Sequence, residues 1–132
     1  MESFDPTSKG YQRIDTTLVP LFIAVRNLTP YLDGYKMTIE IANPYNMTFD
    51  GFQVSCNWGT SFKYSKGAVT NYAEVAASQK KLDERQTAVL ASGWWNPVEL
   101  TITPATAEEI KNVWISIKPD AINLHRKPEV VP

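Results

Sequence analysis

Apolar and polar residues alternate strictly through "YKMTIEI": Tyr35, Met37, Ile39 and Ile41 fall on one face, Lys36, Thr38 and Glu40 on the other. Successive side chains of a strand point to opposite faces, so this spacing predicts a strand buried on one side and wet on the other. "FQVSCNW" repeats the pattern, with Phe52, Val54, Cys56 and Trp58 against Gln53, Ser55 and Asn57. Between the two lies "ANPYNMTFDG", whose turn formers Asn43-Pro44, Asn46 and Asp50-Gly51 predict a ten-residue connection. Further on, "VELTI" alternates through Val98, Leu100 and Ile102, and "VWISIKP" through Val113, Ile115 and Ile117. Upstream, "LVPLFIAVRNL" (Leu18 to Leu28) is apolar and β-branched, with Pro20 near its start, where a strand tolerates proline. Asp33-Gly34 after it is a pair suited to closing a hairpin.

Other segments lack that period. Residues 1–16 are polar, with Pro6 and Gly10, and predict a flexible leader. Residues 17–125 form the domain, and 126–132 a frayed tail. Residues 73–91 combine strong helix formers with Val75, Leu82 and Val89 at seven-residue intervals, yet lack clear caps and have strand-like flanks. Helix and strand both stay open there. Thr106 followed three residues later by Glu109 is a capping-box pattern and predicts a short helix. At least five strands spaced by turns, with one short helix, predict an all-β fold: an immunoglobulin-like antiparallel β-sandwich.

The chain has 132 residues, enough for one domain with a real core. Hydrophobic residues make up 43% and charged residues 20%, a globular composition rather than a disordered one. Thirteen basic and fourteen acidic residues give a net charge of −1, which removes the basic surplus that nucleic-acid binding needs. The densest charge run, "KKLDER" (Lys80 to Arg85), mixes signs and reads as solvated surface. No stretch approaches the roughly 20 apolar residues of a membrane helix. The first residues have no apolar signal-peptide region, so a cytoplasmic protein is expected if Met1 is the native start, and an exported one if a signal was removed.

Candidate chemistry is sparse, and no enzyme, cofactor or metal site is expected. His125, the only histidine, has no partner in the pattern, and Cys56, the only cysteine, sits on the apolar face of its strand as a buried thiol. One of each falls short of a zinc site or a catalytic set. Glu108-Glu109 is explained by the favourable position of acids at a helix N-terminus. "NLT" at Asn27 and "NMT" at Asn46 match the glycosylation pattern, which is common by chance.

Aromatic residues remain, above all Trp94 and Trp95 in "SGWWNPVEL". Strand neighbours face opposite ways, and the phase of Val98, Leu100 and Ile102 extends back to Trp94. That places Trp94 in the core and Trp95 on the outer face. Trp95, with Trp94 beside it, is the candidate ligand-binding position.

The segments "FIAVRNLTPYLDGYKMTIEIANP", "FDGFQVSCNWG", "AVLASGWWNPVELTI" and "IKNVWISIKPDAI" together resemble the YajI-like family of bacterial envelope lipoproteins, over roughly residues 18–124. "IEIANPYNMTFDGF" is also similar to the N-P-x bend of late-embryogenesis-abundant type-2 domains, which are small sandwiches too. The first resemblance implies export and lipid anchoring through an N-terminal cysteine; here Cys56 lies mid-strand, so any membrane link runs through an anchor outside this chain. The expected function is a non-enzymatic structural or protein-interaction domain of a cell-envelope lipoprotein, periplasmic or outer-membrane-associated, whose partner is another envelope protein. The alternative is a carbohydrate- or small-ligand-binding module that uses exposed tryptophan.

Overall fold

The computed structural model describes residues 2–16 and 18–124. Ten strands are present among them: β1 (Glu2–Phe4), β2 (Tyr11–Asp15), β3 (Pro20–Tyr31), β4 (Gly34–Asn43), β5 (Met47–Trp58), β6 (Tyr64–Ser65), β7 (Ala68–Val69), β8 (Lys80–Leu90), β9 (Trp94–Ile102) and β10 (Val113–Leu124). A helix α1 (Tyr72–Ser78) precedes β8, and a 3-10 turn (Glu109–Lys111) precedes β10. One sheet has the order β1-β10-β5-β8 and the other β2-β3-β4-β9, with β6 and β7 forming a small separate hairpin. All pairings are antiparallel. The all-β antiparallel sandwich expected from the alternation is what the chain forms.

The core lies where the inner faces of the two sheets meet. Met37, Ile39, Ile41, Val98, Leu100 and Ile102 come from one sheet; Phe52, Val54, Cys56, Trp58, Val113, Ile115 and Ile117 come from the other. The alternating positions read from the sequence are thus the buried ones, except Tyr35, which is half-buried at the start of β4. Each large aliphatic or aromatic group removed from water contributes about 1.5–3 kcal/mol before chain entropy is set against it. Trp58 is buried whole because its indole Nε1 donates to the Pro104 carbonyl at 2.8 Å, which leaves no unpaired polar atom.

Two turns depart from the sequence reading. The hairpin between β3 and β4 closes on Tyr31 and Gly34, so Leu32 and Asp33 form its tip and Leu32 takes the positive φ of 52°. Gly34 is needed for a different reason: a Cβ there would stand 2.2 Å from the Ile102 carbonyl oxygen. The ten-residue connection shrinks to Pro44–Asn46, because β5 already begins at Met47. Asn43 makes so tight a turn possible. Its buried side chain donates to the carbonyls of Met47 (2.8 Å) and Leu90 (3.0 Å) and accepts from the Tyr45 N–H (3.2 Å).

The flexible leader expected at 1–16 is corrected. Its apolar residues Phe4 and Ile14 are buried in the common core, and β1 and β2 extend one sheet each by pairing with β10 and β3. The segment held open at 73–91 resolves into both alternatives, α1 and then β8. The capping box forms as expected, with Thr106 N–H donating to Glu109 Oε1 (3.0 Å) and Glu109 N–H to Thr106 Oγ1 (3.1 Å), but it opens a single 3-10 turn. The tail at 126–132 and His125 lie outside the described residues.

Candidate functional site

The outward face of β2, β3, β4 and β9 carries the aromatic residues that the alternation leaves over. Register places Ala42 of β4 between Phe22 of β3 and Trp95 of β9, and Tyr11 of β2 beside Ala24. Ala42 is small, so a hollow opens between its two aromatic neighbours. Tyr11 packs edge-on against Phe22, with ring centroids 5.7 Å apart, and closes one side. Trp94 and Trp95 close the other, giving a cleft of roughly 300 Å³. A second shallow hollow shares Tyr11 and Trp95 and reaches the ion pair between Arg26 Nε and Glu40 Oε1, 3.2 Å apart.

The core position expected for Trp94 is a correction: Trp94 is 70% exposed, more than Trp95 at 45%. The phase from Val98 does run back, but it is Asn96 that takes the next inward place. The Asn96 amide donates to the Ile41 carbonyl (3.1 Å), and its oxygen accepts from the Ala91 N–H (3.0 Å). Two residues further, the strand has reached the end of the sandwich, where Trp94 pairs with Asn43, the last residue of β4. Alternation dictates burial only where a second sheet lies opposite. Trp95 stands on the outer face as expected, and the two tryptophans line one cleft from its end and its side.

The ionisable groups singled out in the sequence lie elsewhere. Cys56 is sealed in the core, and burial pushes its thiol up to about 12, with Glu84 and Asp83 adding repulsion. It is a protonated packing residue at neutral pH. Burial alone acts to raise the Glu109 pKa, but hydrogen bonds from Lys80 and from Thr106 outweigh it and hold the carboxyl below its usual range. Lys80 Nζ stands 2.9 Å from both carboxylate oxygens, tying the 3-10 turn to β8. The described residues contain no cluster of His, Cys, Asp and Glu that could hold a metal ion, and no helix among them is long and apolar enough to cross a membrane.

A further exposed tryptophan was available to the phase argument. Val113, Ile115 and Ile117 point inward, so Trp114 points out, and it is 39% exposed on the opposite sheet. The aromatic residues that join it there, Phe62 and Tyr72, come from the loop region between β5 and β8, where no period announced them.

In structure the chain is similar to the trimeric lipoprotein SadB of Salmonella enterica, at 17% sequence identity and a TM-score of 0.79, over 93% of this chain and 63% of that one. It is also similar to the lipoprotein YajI of Escherichia coli, at 18% identity and a TM-score of 0.67, over 89% of this chain and 67% of that one. The chain therefore spans less than two thirds of SadB. At such identities the likeness is one of fold. No family model matches the chain, and no curated protein matches it in sequence.

Proposed function

We propose that this chain is a non-enzymatic β-sandwich domain of a bacterial cell-envelope lipoprotein, with a structural or protein-interaction role. The observation that carries the reading is the agreement of its fold, over 93% of its length, with the Salmonella enterica lipoprotein SadB. The non-enzymatic part is supported by the state of its reactive groups: Cys56 is a buried thiol and Glu109 is engaged as a cap and ion pair. Fractionation of cells carrying the native gene tests it. The chain is expected in the membrane fraction and labelled by palmitate; recovery from the cytosol without label overturns the envelope reading.

The surface we assign to partner contact is the cleft of Trp94 and Trp95. Exposed aromatic residues on a regular sheet supply rigid apolar area with little entropy lost on binding, the kind of feature that anchors protein interfaces. SadB is a trimeric lipoprotein, and self-association is one form such contact takes; light scattering of the purified chain reads it. A second reading, a carbohydrate- or small-ligand-binding module, is favoured by one observation: both tryptophans line the same hollow with Tyr11 and Phe22. Titration with peptidoglycan fragments separates the readings. Quenching or a shift of tryptophan emission that is lost in Trp95→Ala supports the second; a flat response leaves the interaction reading alone.

A further inference from the structure

The chain between β5 and β8 leaves the sheet, turns through the β6–β7 hairpin and returns along α1, so it stands over the outer face of the first sheet. There Phe62 and Tyr72 meet edge to face, with centroids 5.9 Å apart. Beneath them, register sets Trp114 of β10 between Ser3 of β1 and Asn57 of β5, all three on the outward row. Two hollows of roughly 370 and 260 Å³ open here and share Phe62, Gln79 and Trp114, so they form one continuous groove.

The lining has a definite chemistry. Its apolar part is mainly aromatic, with Val75 and Ala76 of α1 beside the rings, and its polar part consists of amides and hydroxyls: Asn57, Gln79 and Asn112 with Ser3 and two other hydroxyl residues of the loop. Among the described residues no carboxylate, ammonium or guanidinium lines either hollow; charge begins beyond them, at Lys63, Glu108 and Glu109 of a neighbouring hollow that shares Thr60, Ser61 and Asn112. Gln79 is exposed, and among the described residues its side-chain amide has no hydrogen-bond partner.

We infer that this groove is a binding site for an uncharged pyranose sugar chain. A pyranose ring offers a face of C–H bonds and a rim of hydroxyl groups. The C–H face carries slight positive charge and suits the electron-rich face of an aromatic ring. The hydroxyls both donate and accept, and amide and hydroxyl side chains can meet them in either role. Within the two hollows a charged ligand would meet no counter-ion among the described residues, so its lost hydration would go uncompensated there. A short peptide lacks the dense rim of hydroxyls, so sugar is the occupant the lining favours. The inference is independent of any role for Trp94 and Trp95.

The test follows the indole N–H signals of the full chain by NMR while chitotetraose, cellotetraose and a capped alanine tetrapeptide are added in turn. At least one sugar is expected to shift the Trp114 signal saturably and leave those of Trp94 and Trp95 in place. Trp114→Ala is expected to weaken that sugar's binding at least tenfold, and Gln79→Ala severalfold, while Trp95→Ala changes it less than twofold. Because Trp114 and Gln79 are surface residues, the fold is verified by the unchanged signal of Trp58. The inference is overturned if neither sugar moves Trp114, if the sugars move Trp95 instead, if the Trp114 variant binds as before, or if only the peptide binds.

Discussion

The two outer faces of this sandwich both carry aromatic hollows, and they are built in opposite ways. The cleft at Trp94 and Trp95 stands on strand residues whose inward neighbours are core, so its floor is as rigid as the sheet: Ala42 lies between the buried Ile41 and Asn43. The groove at Trp114 has a rigid floor but a wall from the excursion 59–79, which is held by a few loop hydrogen bonds. The Asn71 side chain accepts from the Lys63 N–H (2.8 Å) and donates to the Ser61 carbonyl (2.9 Å), and Ser78 Oγ accepts from the Thr60 N–H (2.8 Å). The difference teaches that aromatic exposure has two origins here. One is a sheet that runs past its cover; the other is a loop that brings aromatic residues to the sheet.

Perturbations ranked by expected size probe that contrast. Gly34→Ala is expected to be the most damaging, costing about 3–5 kcal/mol, because its Cβ meets backbone that cannot give way. A thermal melt checks it, and both hollows should be lost together. Asn43→Ala is expected to cost about 2–3 kcal/mol, since it leaves the Met47 and Leu90 carbonyls unpaired beneath the Trp94 cleft. The Trp94 and Trp95 indole signals should move and that of Trp114 should not. Asn71→Ala is expected to cost about 1 kcal/mol, with faster amide exchange confined to the excursion. Equal exchange gains on both sheets would erase the proposed distinction.

The last effect depends on pH. Glu109 has a folded pKa below its unfolded one, so its stabilisation is complete above the unfolded carboxyl pKa and is lost as pH falls through the folded value. Glu109→Gln is therefore expected to be less stable than the parent at neutral pH by about 1 kcal/mol, after allowance for the partly open Lys80 partner. The gap should close on acidification below about pH 4, given a usual Glu pKa near 4.3. Denaturant melts at several pH values measure it; a gap constant with pH would show that the carboxylate charge plays no part.

Much of the sandwich was legible because its central strands carry the period-two signal: Met37, Ile39 and Ile41, and then Phe52, Val54, Cys56 and Trp58, are buried as the alternation dictates. The terminal strand β1 was not, since a single buried Phe4 holds it and its partner β10 lies more than a hundred residues away. Strand β8 was obscured by being an edge. Its inward row of Lys80, Leu82 and Glu84 is only half-buried, so charges occupy places that would be apolar in a central strand. Of the site, Trp95 on the outer face was readable. Trp94 was not, because the phase of β9 carries no mark of where the opposing sheet ends. Trp114 could have been read from its inward neighbours, whereas Phe62 and Tyr72 reach it through loop geometry that no local pattern encodes.

The most direct test of the protein-interaction role replaces Trp95 in one version of the chain, and Trp114 in another, by a photo-crosslinking amino acid, and irradiates living cells that express the native gene. The account expects a protein adduct of discrete mass from position 95 and none from position 114. An adduct from position 114 alone, or none from position 95, would contradict it.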